Sequence, residues 1–228
     1  MKSAPLTAIV LGASGGIGGA MVAALRADRR FGDVHTLSRR ENDFDLASEA
    51  SIAAAAKKFD GLEVDLVFVA TGILESSLGG PEKSFDALSA AAMHELFAVN
   101  AFGVGLAIKY FSPKMPRNRR SVFAALSARV GSISDNRLGG WISYRASKAA
   151  LNQIIRCAAI EFGRQRKESI FAALHPGTIE SDLTREYARG RYTASADECA
   201  SQLLQVLDSL SPDDSGGFFA YDGAQIEW

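Results

Sequence analysis

Short apolar runs alternate with longer amphipathic stretches along the whole chain. Six runs predict strands: Thr7–Leu11, Val34–Leu37, Val64–Ala70, Ser121–Leu126, Ser169–Leu174 and Gly216–Tyr221. Val64–Ala70 ends in continuous apolarity, as a strand buried on both faces requires. Between the runs, apolar residues at helical spacing predict helices over Ile17–Ala27, Leu46–Lys58, Ala91–Phe111, Ile142–Phe162 and Ala196–Ser209. Alternation of this kind winds right-handed βαβ units into a parallel sheet with helices on both faces. The fold class is therefore α/β and doubly wound. Residues 1–228 read as a single domain, since no linker or repeat interrupts the pattern. Pro113 and Pro116 end a helix, and Pro212 marks a turn before the last strand.

The first strand runs directly into Gly12-Ala-Ser-Gly-Gly-Ile-Gly18 and then into a helix. Gly12, Gly15, Gly16 and Gly18 let the backbone turn tightly and approach a pyrophosphate. The helix start behind them offers free N–H groups and about half a positive charge. With Ser14 and Ile17 this forms a dinucleotide-phosphate cradle of the Rossmann kind. An acidic residue about 20 positions further on would take the ribose hydroxyls of NAD. Here the second strand ends in Leu37-Ser38-Arg39-Arg40, and Glu41 comes later. Ser38, Arg39 and Arg40 suit a 2′-phosphate instead. The cofactor is read as NADP(H), with NAD(H) as the alternative; the two arginines could also simply solvate a loop.

Tyr144-Arg-Ala-Ser-Lys148 opens a helix and puts a phenol and an ammonium on one face. An ammonium about 5 Å from the phenol favours phenolate by roughly 3 kcal/mol, or about two pK units. That would make the phenol a usable proton donor and acceptor near neutral pH.

With these residues the chain resembles the short-chain dehydrogenase/reductase family over nearly its whole length. The resemblance rests on Gly12–Gly18, Asp45-Leu46, Ala70-Thr71-Gly72, Asn100, Tyr144-x-x-x-Lys148 and Pro176-Gly177. The segments Arg129–Trp141 and Tyr221–Trp228 look more narrowly like the C-factor and sniffer-type carbonyl reductase branch. The resemblance implies that Tyr144 protonates the substrate oxygen and that Lys148 lowers its pKa and holds the nicotinamide ribose. It makes Asn100 a kink in the long helix that holds a water of the proton relay. It sets Asp45 and Leu46 beside the adenine and Ala70, Thr71 and Gly72 along the cofactor ribose. Pro176, Gly177, Ile179 and Ser181 would hold the nicotinamide carboxamide. His175 is read as structural.

The family pattern breaks before Tyr144. The family places a carbonyl-polarising serine at the end of the preceding strand, but this chain reads Ala125-Leu126-Ser127-Ala128-Arg129-Val130-Gly131. Aligned on Gly131, the serine position falls on Ala128, with Ser127 one residue early. Neighbouring strand residues face opposite sides. Ser127 can serve only if the strand ends at Leu126 and frees it to turn inward. Ser132, Ser134, a backbone N–H or a water could replace it. Ser127 is the first choice.

Composition narrows the partners. Net charge is −1, so no global basic field draws nucleic acid. Arg117, Arg119 and Arg120 read as a solvated loop. Cys157 and Cys199 have no zinc or CxxC spacing and read as buried small hydrophobes, and no metal site is expected. No signal peptide is recognisable and no apolar run reaches membrane-spanning length, so a cytoplasmic protein is expected. Residues Glu180–Thr193, with Leu183, Tyr187 and Tyr192, read as a mobile lid that sets substrate choice. The apolar faces of Ala91–Phe111 and Ile142–Phe162 could serve a homodimer.

The leading reading is reduction of a small aldehyde or ketone by NADPH. The rival is a C-factor-like, cofactor-binding signalling protein with little turnover, favoured by Ala128 and disfavoured by an intact Tyr–Lys pair. A third is a reductase of acyl-carrier substrates, with Arg185, Arg189 and Arg191 as its only support.

Overall fold

A computed structural model describes residues 4–181, 184–188 and 190–228. Six parallel strands, β1 (Leu6–Leu11), β2 (Phe31–Leu37), β3 (Leu66–Val69), β4 (Ser121–Leu126), β5 (Ser169–His175) and β6 (Gly217–Ala220), form one sheet. Their order is β2-β1-β3-β4-β5-β6, so the chain reverses direction across the sheet between β1 and β3. In register, Leu11 lies beside Val69, Val69 beside Ala125, and Ala125 beside Ala173. The segments leaving these strands therefore start from one level. The doubly wound Rossmann fold is the architecture found.

The helices are α1 (Gly16–Ala27), α2 (Arg39–Asn42), α3 (Glu49–Lys57), α4 (Ala90–Phe97), α5 (Gly103–Phe111), α6 (Ile142–Gly163), α7 (Arg185–Ala188) and α8 (Ala196–Ser209). Alternate strand residues sort to opposite faces. Ile9, Val67, Phe123 and Phe171 pack with Val104, Phe111, Leu151 and Ile155 of α5 and α6. Val10, Phe68, Val122 and Leu174 pack with Met21, Leu25, Leu203 and Leu207 of α1 and α8. β3 is buried at every residue, as its unbroken apolarity predicts.

Several sequence expectations change. The helix expected from Leu46 starts at Glu49, because the Ser48 hydroxyl caps it by accepting from Ser51 N–H. The Ala91–Phe111 helix is interrupted by a π-turn at Ala98–Phe102. The continuous helical run Ala90–Lys114 is long and apolar enough to cross a membrane by length and composition, contrary to the expectation. Here it lies along the sheet and buries Val104, Ala107, Ile108 and Phe111. Cys157 is exposed on α6 rather than buried; Cys199 is buried. Arg119 and Arg120 do not merely solvate a loop. Arg119 pairs with Glu63 and Asp65, and Arg120 donates to the carbonyls of Leu207 and Leu210.

Candidate active site

A cleft of about 960 Å³ opens along the ends of the central strands. Ligands of such folds bind where the strand order reverses. The cleft wall brings together Gly15, Gly16, Ile17 and Gly18 from the glycine loop and Arg39 from the end of β2. Ala70, Thr71 and Gly72 come from the end of β3, Tyr144 and Lys148 from α6, and Pro176, Gly177, Ile179 and Ser181 from the end of β5.

The glycine loop fits a phosphate group for two reasons. Gly12 has φ +88°, and a Cβ there would lie 2.5 Å from Thr71 Oγ1; one on Gly18 would lie 2.2 Å from Gly12 O. α1 then begins without a side-chain cap and without an acidic residue in its first turn. Its leading N–H groups face the cleft unneutralised. Arg39, just past the end of β2, adds a cation to the same cleft wall.

Other cofactor-side candidates stand apart from the cleft wall. Ser14 is exposed beside the loop, and Gly12 supports it from behind. Ser38 is buried, its oxygen capping α2 by accepting from Glu41 N–H. Arg40 is exposed and is not among the lining residues. Asp45 folds back on its own turn through Ala47 N–H, and Leu46 sits in the core, its carbonyl against Gly103.

Asn100 is fully buried within the π-turn. Its Oδ1 accepts from Ile73 N–H at 2.9 Å, while Nδ2 donates to Ile73 O at 2.8 Å and Ser147 Oγ at 3.1 Å. It thereby ties the end of β3 to α6. A Cβ on Gly72 would meet Lys148 Nζ at 3.3 Å and Asn100 Oδ1 at 3.4 Å, so glycine keeps open the gap between them.

Tyr144 and Lys148 share one face of α6, with Lys148 Nζ 5.9 Å from the centre of the phenol ring. Lys148 is buried and donates to Leu126 O at 2.9 Å. Burial lowers its ammonium to about 8. Burial likewise raises the Tyr144 phenol above its ordinary value. This reverses the expected lowering by Lys148, because desolvation of the phenolate outweighs the ammonium in the protein alone. The phenol stays protonated near neutral pH and can donate.

β4 ends at Leu126 and Ser127 lines the cleft, where its buried hydroxyl donates to Asn152 Oδ1 at 2.6 Å. A hydroxyl has one proton, and this one is already engaged. Ser132 and Ser134 pair with each other at 3.3 Å, outside the cleft wall. Ala128 packs against the cluster of Leu74, Leu96 and Tyr144.

The residues that set the start of α6 are not evident in the sequence. Trp141 precedes α6 with φ +51°, a left-handed conformation strained for a bulky residue. Its N–H donates to Glu82 O at 2.5 Å. The Glu82 carboxylate is buried and accepts from Ser143 N–H at 3.2 Å and from the Ser143 hydroxyl. Burial raises that carboxyl, but the Ser143 bonds outweigh it and leave the pKa lowered. Glu82 therefore caps the helix that carries Tyr144 from 61 residues away. Glu82→Ala is expected to cost about 1–3 kcal/mol of stability, because Ser143 loses a charged partner. Activity should fall at least about tenfold as Tyr144 loses its position; thermal unfolding and kcat, measured together, check both.

His175 lines the cleft, and its Nδ1 accepts from Arg129 N–H at 3.3 Å. Burial, with Arg129 nearby, lowers it to about 4. The unfolded value lies near 6.5. Below that pH the unfolded chain takes up a proton that the folded chain refuses. Stability is therefore full above about 6.5 and declines toward about 4. His175→Asn keeps an acceptor without the titration. Its melting temperature should drop less than the wild type's between pH 7 and pH 5; parallel drops would contradict this.

The segment expected to form a lid is anchored at its base. Thr178 O accepts from Thr193 N–H, and Ile179 bridges Ala194, closing the base of residues 180–193. Within it, Tyr187 of α7 stacks edge-on against Trp141 at 5.4 Å and donates to Glu75 Oε1 at 2.5 Å. Leu183 and Arg189 lie outside the described residues. Among the described residues no cluster of side chains could hold a metal ion.

A family model described as "Enoyl-(Acyl carrier protein) reductase" matches residues 18–216. A Rhodococcus sp. (strain AD45) protein, 1-hydroxy-2-glutathionyl-2-methyl-3-butene dehydrogenase, is 28% identical over 82% of this chain and 80% of its own length. The C-signal of Myxococcus xanthus is 32% identical over 60% of this chain and 80% of its own. The structure of NADPH-bound carbonyl reductase from chicken fatty liver is 24% identical, with a TM-score of 0.85 over 100% of this chain and 96% of that one. That last likeness speaks to the fold, while the family match covers most of the sequence. The chain belongs to the short-chain dehydrogenase/reductase family of oxidoreductases.

Proposed function

We propose that the chain is an NADP(H)-dependent carbonyl reductase. One observation carries this: a single cleft holds both an uncapped glycine-loop helix and the buried Tyr144–Lys148 pair. Gly15–Gly18 would hold the pyrophosphate, Arg39 the 2′-phosphate, and Pro176, Gly177, Ile179 and Ser181 the carboxamide. The reduced nicotinamide supplies hydride to the carbonyl carbon. Tyr144 donates its proton to the carbonyl oxygen, completing the alcohol, and Lys148 stabilises the phenolate left behind. Gly72 leaves room between Asn100 and Lys148 for a water that returns the proton. The likeness to the NADPH-bound chicken carbonyl reductase and to the Rhodococcus dehydrogenase supports the cofactor and the reaction class.

The test is consumption of NADPH, beside NADH, with a panel of aldehydes, ketones and quinones. Turnover should prefer NADPH. Arg39→Gln should raise the KM for NADPH about tenfold or more, the worth of one charge-assisted phosphate contact, and leave NADH nearly unaffected. Tight NADPH binding without any turnover would favour the signalling reading, which rests on Ala128 and the C-signal relative. A homodimer would use the outer faces of the Ala90–Phe111 run and α6, where Phe102 of the π-turn and Ile160 of α6 are each 49% exposed. Both cysteines are free, which suits the reducing cytoplasm we propose as its location.

A further inference from the structure

We infer that the substrate is a carbonyl compound carrying a carboxylate, a refinement that rests on the reductase reading. Among the described residues the cleft wall also bears Arg129, Arg137, Arg145 and Arg191 against one carboxylate, Asp135. Arg129 faces Asp135 at 3.7 Å. Among the described residues Arg137, Arg145 and Arg191 have no ion-pair partner. Arginines elsewhere do find carboxylates: Arg30 pairs with Asp28 and Asp208, and Arg119 with Glu63 and Asp65. The whole chain has net charge −1, so a cleft rim with three uncompensated guanidiniums is not a by-product of a basic protein.

The rim is also partly fixed. Arg145 Nε donates to Gly140 O at 2.9 Å, and Nη1 points to Val130 O at 3.5 Å. Both acceptors are neutral backbone groups, so the positive charge persists and further N–H donors remain for a ligand. Arg137 is exposed on the segment leading to Trp141. The same wall carries apolar Leu74, Val130, Trp141 and Tyr187, which pack with Tyr144. The phosphate-binding glycine loop and Arg39 account for the cationic needs of the cofactor. A planar fork of guanidinium donors matches a carboxylate, and a cleft of one charge sign between apolar walls concentrates the opposite charge. The one cleft thus combines a phenol, an apolar wall packed beside it and guanidiniums without ion-pair partners, which fits a carbonyl, an apolar body and a carboxylate.

The experiment compares kcat/KM for 4-carboxybenzaldehyde and 4-methylbenzaldehyde with NADPH, at about 0.05 M and about 0.5 M salt. It is repeated with Arg137→Gln/Arg191→Gln. The carboxylate is expected to be preferred by about tenfold or more at low salt, with the ratio shrinking at high salt and about fivefold or more in the double variant. Equal or better turnover of the methyl compound, or a preference insensitive to salt and to the variant, would overturn the inference and leave the reductase reading intact. If neither aldehyde is reduced, both fall together.

Discussion

Tyr144→Phe is expected to lower kcat/KM for carbonyl reduction about a thousandfold while leaving NADPH affinity and the melting temperature nearly unchanged. General acid catalysis contributes roughly 10²–10⁴ in rate. A value inside that range is expected because the Ser127 proton is already engaged by Asn152 and does not share the load. The phenol ring packs with Leu74, Leu96 and Trp141, and phenylalanine fills the same volume. Among the described residues no protein group is hydrogen-bonded to the phenolic oxygen, so removing it orphans nothing in the fold. Steady-state kinetics and thermal unfolding of the variant, side by side, check this. Full activity would remove Tyr144 from the mechanism. A large loss of stability would show that the hydroxyl is structural instead.

Ala128→Ser is expected to raise kcat/KM about tenfold or more. Ala128 has extended backbone, φ −148° and ψ 145°, and packs beside Leu74, Leu96 and Tyr144 in the cleft wall. A hydroxyl there is a second donor next to the phenol. Removing such a donor from a site that has one costs about 2.7–4 kcal/mol, so recovering even half of it gives the stated gain. Ser127 does not already fill the role, because its proton is held by Asn152, whose Nδ2 lies 3.4 Å from Gly131 O. Ser127→Ala should therefore cost stability more than rate. An Ala128→Ser enzyme no faster than wild type would mean that a water or backbone N–H already polarises the carbonyl.

Local residue patterns predict most of the elements and the glycine loop. Strand and helix periodicities are local, so the six strands and most helices are legible from neighbouring residues alone. Gly12–Gly18 is equally local: one strand, one turn and one helix start contain the whole device. The i, i+4 spacing of Tyr144 and Lys148 puts them on one face without any tertiary knowledge. Tertiary structure decided what depends on distant partners. Arg39 and Arg40 are adjacent in sequence, yet only Arg39 lines the cleft. Ser127 and Ala128 are also adjacent and both line the cleft, but the Ser127 proton is held by Asn152, 25 residues away, while Ala128 packs beside Tyr144. Glu82 caps the catalytic helix from a loop with no motif of its own, and that contact holds Trp141 in a strained conformation. The phenol's proton affinity was likewise set by packing, because burial of the whole site outweighed the one charge that the spacing places nearby. Periodicity records which face a residue shares with its neighbours; what lies opposite that face is settled only when the sheet and its helices close over it.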